Sequence, residues 1–219
     1  MLNYAIDPAA LTPLVPRGTE LDAWQGTCYV SMVGFLFLNT RVLGIPIPFH
    51  RNFEEVNLRF YVRRKFEDGW RRGVVFVKEI VPRAAIAFVA RTLYGEKYVA
   101  LPMRHRLDAG VSYEWTFEGR TQRLSLTPAS ALQPLVTGTE EEFITEHYWA
   151  YSAQRDGGTR EYRVEHPSWR VAAASHAELE CDVRRLYGEA FAESLRAKPS
   201  SAFLAEGSAV SVSPGLRIA

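Results

Sequence analysis

Cysteine is nearly absent from this chain of 219 residues: Cys28 and Cys181 stand far apart, in apolar surroundings and without CxxC spacing. No disulfide framework is in view, and a reducing, cytoplasmic setting fits best. Neither charge is in excess, since 26 basic and 25 acidic side chains leave a net charge of +1. A nucleic-acid footprint needs clustered Lys and Arg in excess, so no nucleic-acid partner is expected. No run approaches the roughly 20 apolar residues of a membrane helix. The longest, Val30 to Leu38, is broken by Ser31 and Gly34 and reads as a buried strand. Met1 to Pro16 has no basic stretch followed by an apolar one, so neither a signal peptide nor a membrane partner is expected. Lysine is scarce as well: Lys65, Lys78, Lys97 and Lys198 are four of the 26 basic residues, a bias that codon usage explains. There is no GxGxxG, Walker loop, GxSxG or HExxH, so nucleotide hydrolysis, lipase-type acyl transfer and zincin chemistry lose their usual support.

What is present is an ordinary globular composition, 47% hydrophobic and 12% aromatic. At this size about 70% of the unfolded surface can be buried, so a single domain over residues 1–219 needs no metal or disulfide. Asp7-Pro8 opens a short helix that ends before Pro16. Residues 26–38 are rich in β-branched and aromatic types, and a Pro-rich turn follows at 44–48. In 53–64, Val56, Leu58, Phe60 and Val62 alternate with Glu55, Asn57, Arg59, Tyr61 and Arg63, which predicts a two-faced strand. Gly73 to Val81 reads as its hairpin partner, and Arg83 to Tyr94 as a helix. Further hairpins are predicted across Val111 to Thr127 and at Asp156-Gly157-Gly158, with an extended run in Trp169 to Leu179. Thr139 and Glu142 form a capping box for a short helix to about Tyr148, and 183–197 has the spacing of one amphipathic helix. About eight or more strands with three or four short helices imply a mainly β fold whose antiparallel sheet curls or closes.

The five histidines, His50, His105, His147, His166 and His176, show no metal-ligand spacing, and neither metal nor cofactor is expected. The basic, aromatic stretch from Arg59 to Arg72 is interrupted by Glu67 and Asp68 and reads as a solvated ribbon. The densest polar constellation is His50, Arg51, Asn52, Glu54, Glu55, Asn57 and Arg59. Alternation puts Glu55, Asn57 and Arg59 on one face. If that face points inward it lines a ligand cavity; if Val56, Leu58 and Phe60 point inward the interior is filled. Lys78 and Glu79 on the neighbouring strand extend the constellation, and could help bind an anionic carbonyl compound.

The series YVSMVGFLFLNTRVLGIPIPFHRNFEEVNLRFYVRR at 29–64, GVVFVKEIVPR at 73–83, LYGEKYVALPM at 93–103, EHYWAY at 146–151 and EYRVEHPSW at 161–169 resembles the uncharacterised YqjF-like family, a domain of unknown function. The resemblance spans essentially the whole chain. That family is in turn similar to acetoacetate decarboxylase, which implies a cone-shaped antiparallel β-barrel with a central pocket and a few flanking helices. The decarboxylase carries its Schiff-base lysine just after a proline that follows a Gly-Arg-Glu segment. The matching stretch here is Gly95-Glu96 to Leu101-Pro102, followed by Met103 and Arg104, and neither can form an imine. Lys97 lies six residues before Met103, roughly 20 Å along a strand, too far for a simple swap.

On this reading the chain is a cytoplasmic protein with a polar barrel pocket for a small, anionic organic molecule such as an organic acid. Arg51, Asn57, Arg59 and Lys78 would hold the ligand, Glu54, Glu55 and Glu96 are acid/base candidates, and His147, Tyr148 and His166 line or close the mouth. Two alternatives stay open: a non-catalytic sensing or interaction module with a filled barrel, and a lysine-dependent lyase using Lys97 or Lys78. A homo-oligomer fits either.

Overall fold

A computed structural model describes residues 1–42, 45–46, 51–67, 69–93 and 95–219, the side chains of 42, 45, 46 and 89–93 excepted. His50 and most of the turn expected at 44–48 lie outside the described residues. The strands are β1 (Leu2–Ile6), β2 (Glu20–Leu21), β3 (Cys28–Phe37), β4 (Arg41–Val42), β5 (Ile45–Pro46), β6 (Phe53–Phe66), β7 (Gly69–Val81), β8 (Tyr98–Ala100), β9 (Met103–Leu107), β10 (Val111–Phe117), β11 (Arg120–Pro128), β12 (Trp149–Ala153), β13 (Thr159–Glu165), β14 (Val171–Glu180), β15 (Ser201–Ala205), β16 (Ser211–Val212) and β17 (Leu216–Arg217). Five short helices accompany them: α1 (Pro8–Leu11), α2 (Ala84–Leu93), α3 (Glu140–Thr145), α4 (Val183–Tyr187) and α5 (Glu189–Arg196).

One sheet holds 15 of these strands in the order β16-β13-β12-β7-β6-β3-β1-β15-β14-β11-β10-β9, with β17 on β13, β2 on β6 and β8 on β7. The fold is mainly β as expected, and the sheet is mixed: β12 and β8 both run parallel to β7, while its other pairs are antiparallel. The sheet curls until its two halves meet. A Cβ on Gly34 of β3 would lie 2.5 Å from the Tyr113 ring of β10 and 3.0 Å from Leu124 of β11, so only glycine lets the halves approach this closely. Val56, Leu58 and Phe60 point into the curl, where they pack with Met32, Trp115 and Leu126 and are wholly buried themselves. The concave interior is therefore apolar and filled along this stretch.

The odd-numbered residues of β6 face the other way and, from Phe53 to Tyr61, are covered or partly covered too. Phe53 packs with Val81 and Ala87 under α2, and Tyr61 packs with Phe143 and Ile144 of α3. Strand β7 changes its facing partway along. Leu58 pairs with Lys78 but Arg59 pairs with Phe76, which leaves Val77 as an extra residue. This bulge turns Lys78 toward the concave side and Glu79, opposite Asn57, toward the α2 side. The helix predicted over 183–197 is two helices, because Gly188, at φ +106°, ends α4 and starts α5. The helix capped by Thr139 ends at Thr145 rather than near Tyr148. Among the described residues no helix is long and apolar enough to cross a membrane.

Candidate functional site

Three carboxyl groups meet on the convex side of β6 and β7. Alternation supplies Glu55, the bulge supplies Glu79, and the connection from α2 to β8 supplies Glu96. Gly95 makes the last possible: its φ is +71°, and a Cβ there would lie 2.5 Å from Gln154 Nε2. Glu55, Glu79 and Glu96 are 2%, 2% and 5% exposed, so all three have left water. Asn57 Nδ2 donates to Glu55 Oε1 at 2.9 Å, the Tyr98 hydroxyl donates to Glu55 Oε2 at 2.9 Å, and the Tyr162 hydroxyl donates to Glu96 Oε1 at 2.8 Å. Glu79 Oε2 and Asn57 Oδ1 are buried with no hydrogen-bond partner among the described residues.

Burial is the main force on these acids, and it penalises their charged forms. It pushes Glu55 up to about 7, against the pull of Asn57, Tyr98 and Arg59. Glu96 is pushed up to about 8 for the same reason, with Tyr162 and Lys97 opposing and Glu55 adding repulsion. Glu79 stands well above the ordinary carboxylate range through burial and then its repulsion by Glu96 and Glu55. Three acids facing one another cannot all ionise, so the cluster keeps protons near neutral pH and can give or take one there.

Arg59 connects this cluster to a second one. Its Nη2 donates to the Ile144 carbonyl at 3.1 Å. Beyond Tyr61, His147 is 6% exposed, with its ring 4.7 Å from that of Tyr61 and 5.5 Å from that of Phe143. Its Nε2 is 3.9 Å from Asp22 Oδ2, too long for a hydrogen bond, and neither ring nitrogen has a partner among the described residues. Burial, aided by Arg72 and Arg59 and opposed by Asp22, pushes its pKa down to about 4, so the imidazole is neutral. Asp22 accepts from Arg72 Nε at 2.6 Å. Burial raises the Asp22 pKa, but the Arg72 guanidinium bonded to it outweighs this and holds the carboxyl below its usual range.

The structure thus brings Glu55, Asn57 and Glu96 together, with Arg59 and His147 alongside. It places the other sequence candidates elsewhere. Glu54 faces the concave side, where its Oε1 lies 2.7 Å from His105 Nδ1. Lys78 is also on that side; its Nζ donates to the Leu186 carbonyl and lies 5.6 Å from the centre of the Tyr187 ring. Lys97 is exposed, and Arg51 donates to Asn39 Oδ1 at 3.0 Å on the surface. Tyr148 and His166 belong to an outer stack with Trp169, at ring separations of 4.8 and 4.1 Å. Met103, at the position matched to the decarboxylase lysine, is half-buried, and Arg104 pairs with Glu114. Tyr98, Tyr162 and Asp22 went unnoticed in the sequence, and Arg72, expected in a solvated ribbon, instead pairs with buried Asp22; Tyr98 and Tyr162 sit in GEKY and EYRV, where a tyrosine near a glutamate was the available signal. Among the described residues no group of three or more His, Cys, Asp or Glu is arranged to hold a metal ion.

The sequence profile of DUF2071, described as an uncharacterized conserved protein, matches residues 1–209. The chain belongs to the DUF2071 family. A relative of this DUF2071 chain, the uncharacterized protein YqjF of Bacillus subtilis (strain 168), is 27% identical over 160 residues, covering 70% of this chain and 64% of its own length. The chain thus matches less than two thirds of that relative. Among solved structures, an acetoacetate decarboxylase from Legionella pneumophila is similar over 100% of this chain and 83% of its own, with a TM-score of 0.65 at 13% identity. The enduracididine biosynthesis enzyme MppR, complexed with pyruvate, is similar over 99% and 81%, with a TM-score of 0.60 at 14% identity. An acetoacetate decarboxylase-like enzyme from Sphingomonas wittichii RW1 is similar over 99% and 85%, with a TM-score of 0.57 at 18% identity. At these identities the likeness establishes the fold of the DUF2071 chain as acetoacetate decarboxylase-like and leaves its chemistry to its own residues.

Proposed function

We propose that this protein binds a small organic acid at the Glu55–Glu79–Glu96 cluster and exchanges a proton with it, without forming a lysine imine. The observation that carries this reading is the set of three enclosed carboxyls, beside which Glu79 Oε2 and Asn57 Oδ1 have no hydrogen-bond partner among the described residues. Buried polar atoms without partners are costly, and the hydroxyl of a hydroxy acid, or of the enol of a keto acid, donates to them while the carboxylate accepts. Protonated Glu55 and Glu96 donate hydrogen bonds, while Arg59 supplies a positive charge that an anionic carboxylate needs. The MppR relative binds pyruvate, a molecule of this class. We place the activity in the cytoplasm and assign it no nucleic-acid, membrane or cofactor partner.

Isothermal titration with a panel of small keto and hydroxy acids, in buffers of different ionisation enthalpy, tests the reading. Wild type is expected to bind one of them with net proton exchange, and Glu55→Gln and Glu96→Gln each to weaken it at least tenfold. Binding that both variants leave unchanged, or no binding at millimolar acid, sinks it.

One observation favours a second reading, a non-catalytic module: Val56, Leu58 and Phe60 are wholly buried and fill the concave side along this stretch. That reading expects acid binding without proton exchange.

A further inference from the structure

We propose that Glu54, His105 and Tyr113 form a second site, on the concave side of β6, that hydrolyses small uncharged esters by general-base activation of water. It does not rest on the carboxyl cluster, which lies behind the same strand on the opposite face.

The sheet register builds the site. Tyr113 and Trp115 of β10 are buried in the concave interior, and their partners across the β9–β10 ladder are His105 and Met103. Paired residues share a face, so His105 looks across the curl toward β6. Glu54 meets it there, one residue before Glu55 and so on the opposite face. With Nδ1 held 2.7 Å from the carboxylate, the other ring nitrogen, Nε2, is left as the base, the arrangement that orients an imidazole for proton abstraction. The Tyr113 ring lies 6.4 Å away, and burial pushes its phenol up to about 12, so it remains a protonated donor.

A second histidine–carboxylate pair gives a contrast. His176 and Glu178 are 3.8 Å apart, with side chains 67% and 48% exposed, an ordinary solvated contact. His105 and Glu54 are 37% and 16% exposed, enclosed enough to be oriented and open enough for a substrate to reach. Leu36, the partner of Glu54 on β3, and Leu107, two residues beyond His105, give the surroundings apolar surface. The Glu54 charge repels anions, which selects an uncharged acyl compound. No serine or cysteine is placed in this group, so water is the nucleophile. His105 Nε2 takes a proton from water as the oxygen bonds to the carbonyl carbon, and Tyr113 donates a hydrogen bond to the oxyanion. The bond to the leaving alkoxide then breaks, and the alkoxide takes the proton from Nε2.

Steady-state hydrolysis of p-nitrophenyl acetate by the full chain is the test. Wild type is expected to saturate with ester. His105→Ala and Glu54→Ala should each lower kcat at least tenfold with KM changed less than twofold, while His176→Gln keeps the wild-type rate. Glu54→Asp should recover part of the loss, since Glu54 acts by positioning the imidazole. Circular dichroism and thermal unfolding check that the variants fold, since His105 is partly exposed and Glu54 only slightly so. A wild-type rate that never saturates, or one that His105→Ala leaves unchanged, overturns the proposal.

Discussion

Gly34 has no side chain to offer, yet it decides how far the sheet can curl. An added methyl would sit 2.5 Å from Tyr113 Cδ2 and 3.0 Å from Leu124 Cδ2, against a ring and a branch held in the core. Overpacking of this kind costs about 1–3 kcal/mol. Gly34→Ala is expected to lower unfolding stability in urea by that amount and to disturb the Tyr113 ring. Unchanged stability would mean that the two halves of the sheet give way easily. At this scale the sequence was legible where one strand sufficed. Glu55, Asn57 and Arg59 share a face because β6 alternates strictly. The partnership of Glu54 with His105 was not, because it needs β9, and the run MRHRL is mostly exposed and charged, with no apolar alternation to mark it as a strand.

Elements carry the next level of information, and β7 is the clearest case. Its sequence alternates through Val75, Phe76, Val77, Lys78 and Glu79, which without interruption would put Lys78 on the face of Phe76. The extra residue at Val77 reverses this, so Lys78 reaches the Leu186 carbonyl and Glu79 joins the acids. Burial lowers the Lys78 pKa, but the amine is turned away from Glu55 and Glu96 by the thickness of the sheet. Borohydride treatment with small keto acids is therefore expected to leave no adduct at Lys78 or at exposed Lys97, as read by peptide mass spectrometry. An adduct at either residue would restore the lyase reading. No periodicity rule announces a bulge, and the same holds for the break at Gly188, where helical spacing continues from Leu186 to Phe191 across the change of direction.

For the whole molecule, the buried acids set a pH dependence of stability. Glu55 and Glu96 have folded-state pKa values near 7 and 8, above the ordinary 4.5, so the folded chain holds their protons longer than the unfolded chain does. Their contribution is fully present below about 4.5 and is lost as pH rises toward 8, at up to about 1.4 kcal/mol per pH unit for each group. Asp22 acts in the opposite sense, losing its contribution as pH falls through its lowered pKa. Urea unfolding from pH 4 to 9 is expected to give greatest stability on the weakly acidic side and a decline toward pH 8. Glu96→Gln should flatten the alkaline part of that decline, and a wild-type profile level across this range would contradict the placement of the acids. The strand-rich class and the central hairpin could be read from composition and alternation. The terminal strands could not, since β1 and β15 are five residues each and gain their stability from pairing with β3 and β14.

The bulge at Val77 also bears on how relatives of this chain are compared. The same residues without the bulge, in strict alternation, would exchange the lysine and the glutamate between the two sides of the sheet with the composition of the strand unchanged, whereas loss of one residue at Val77 would leave both where they are. Columns of a conventional alignment show a gap in the second case and nothing in the first. In this segment equivalence therefore has to be assigned by which way a residue faces, and two homologues with the same letters can carry different chemistry on the same wall.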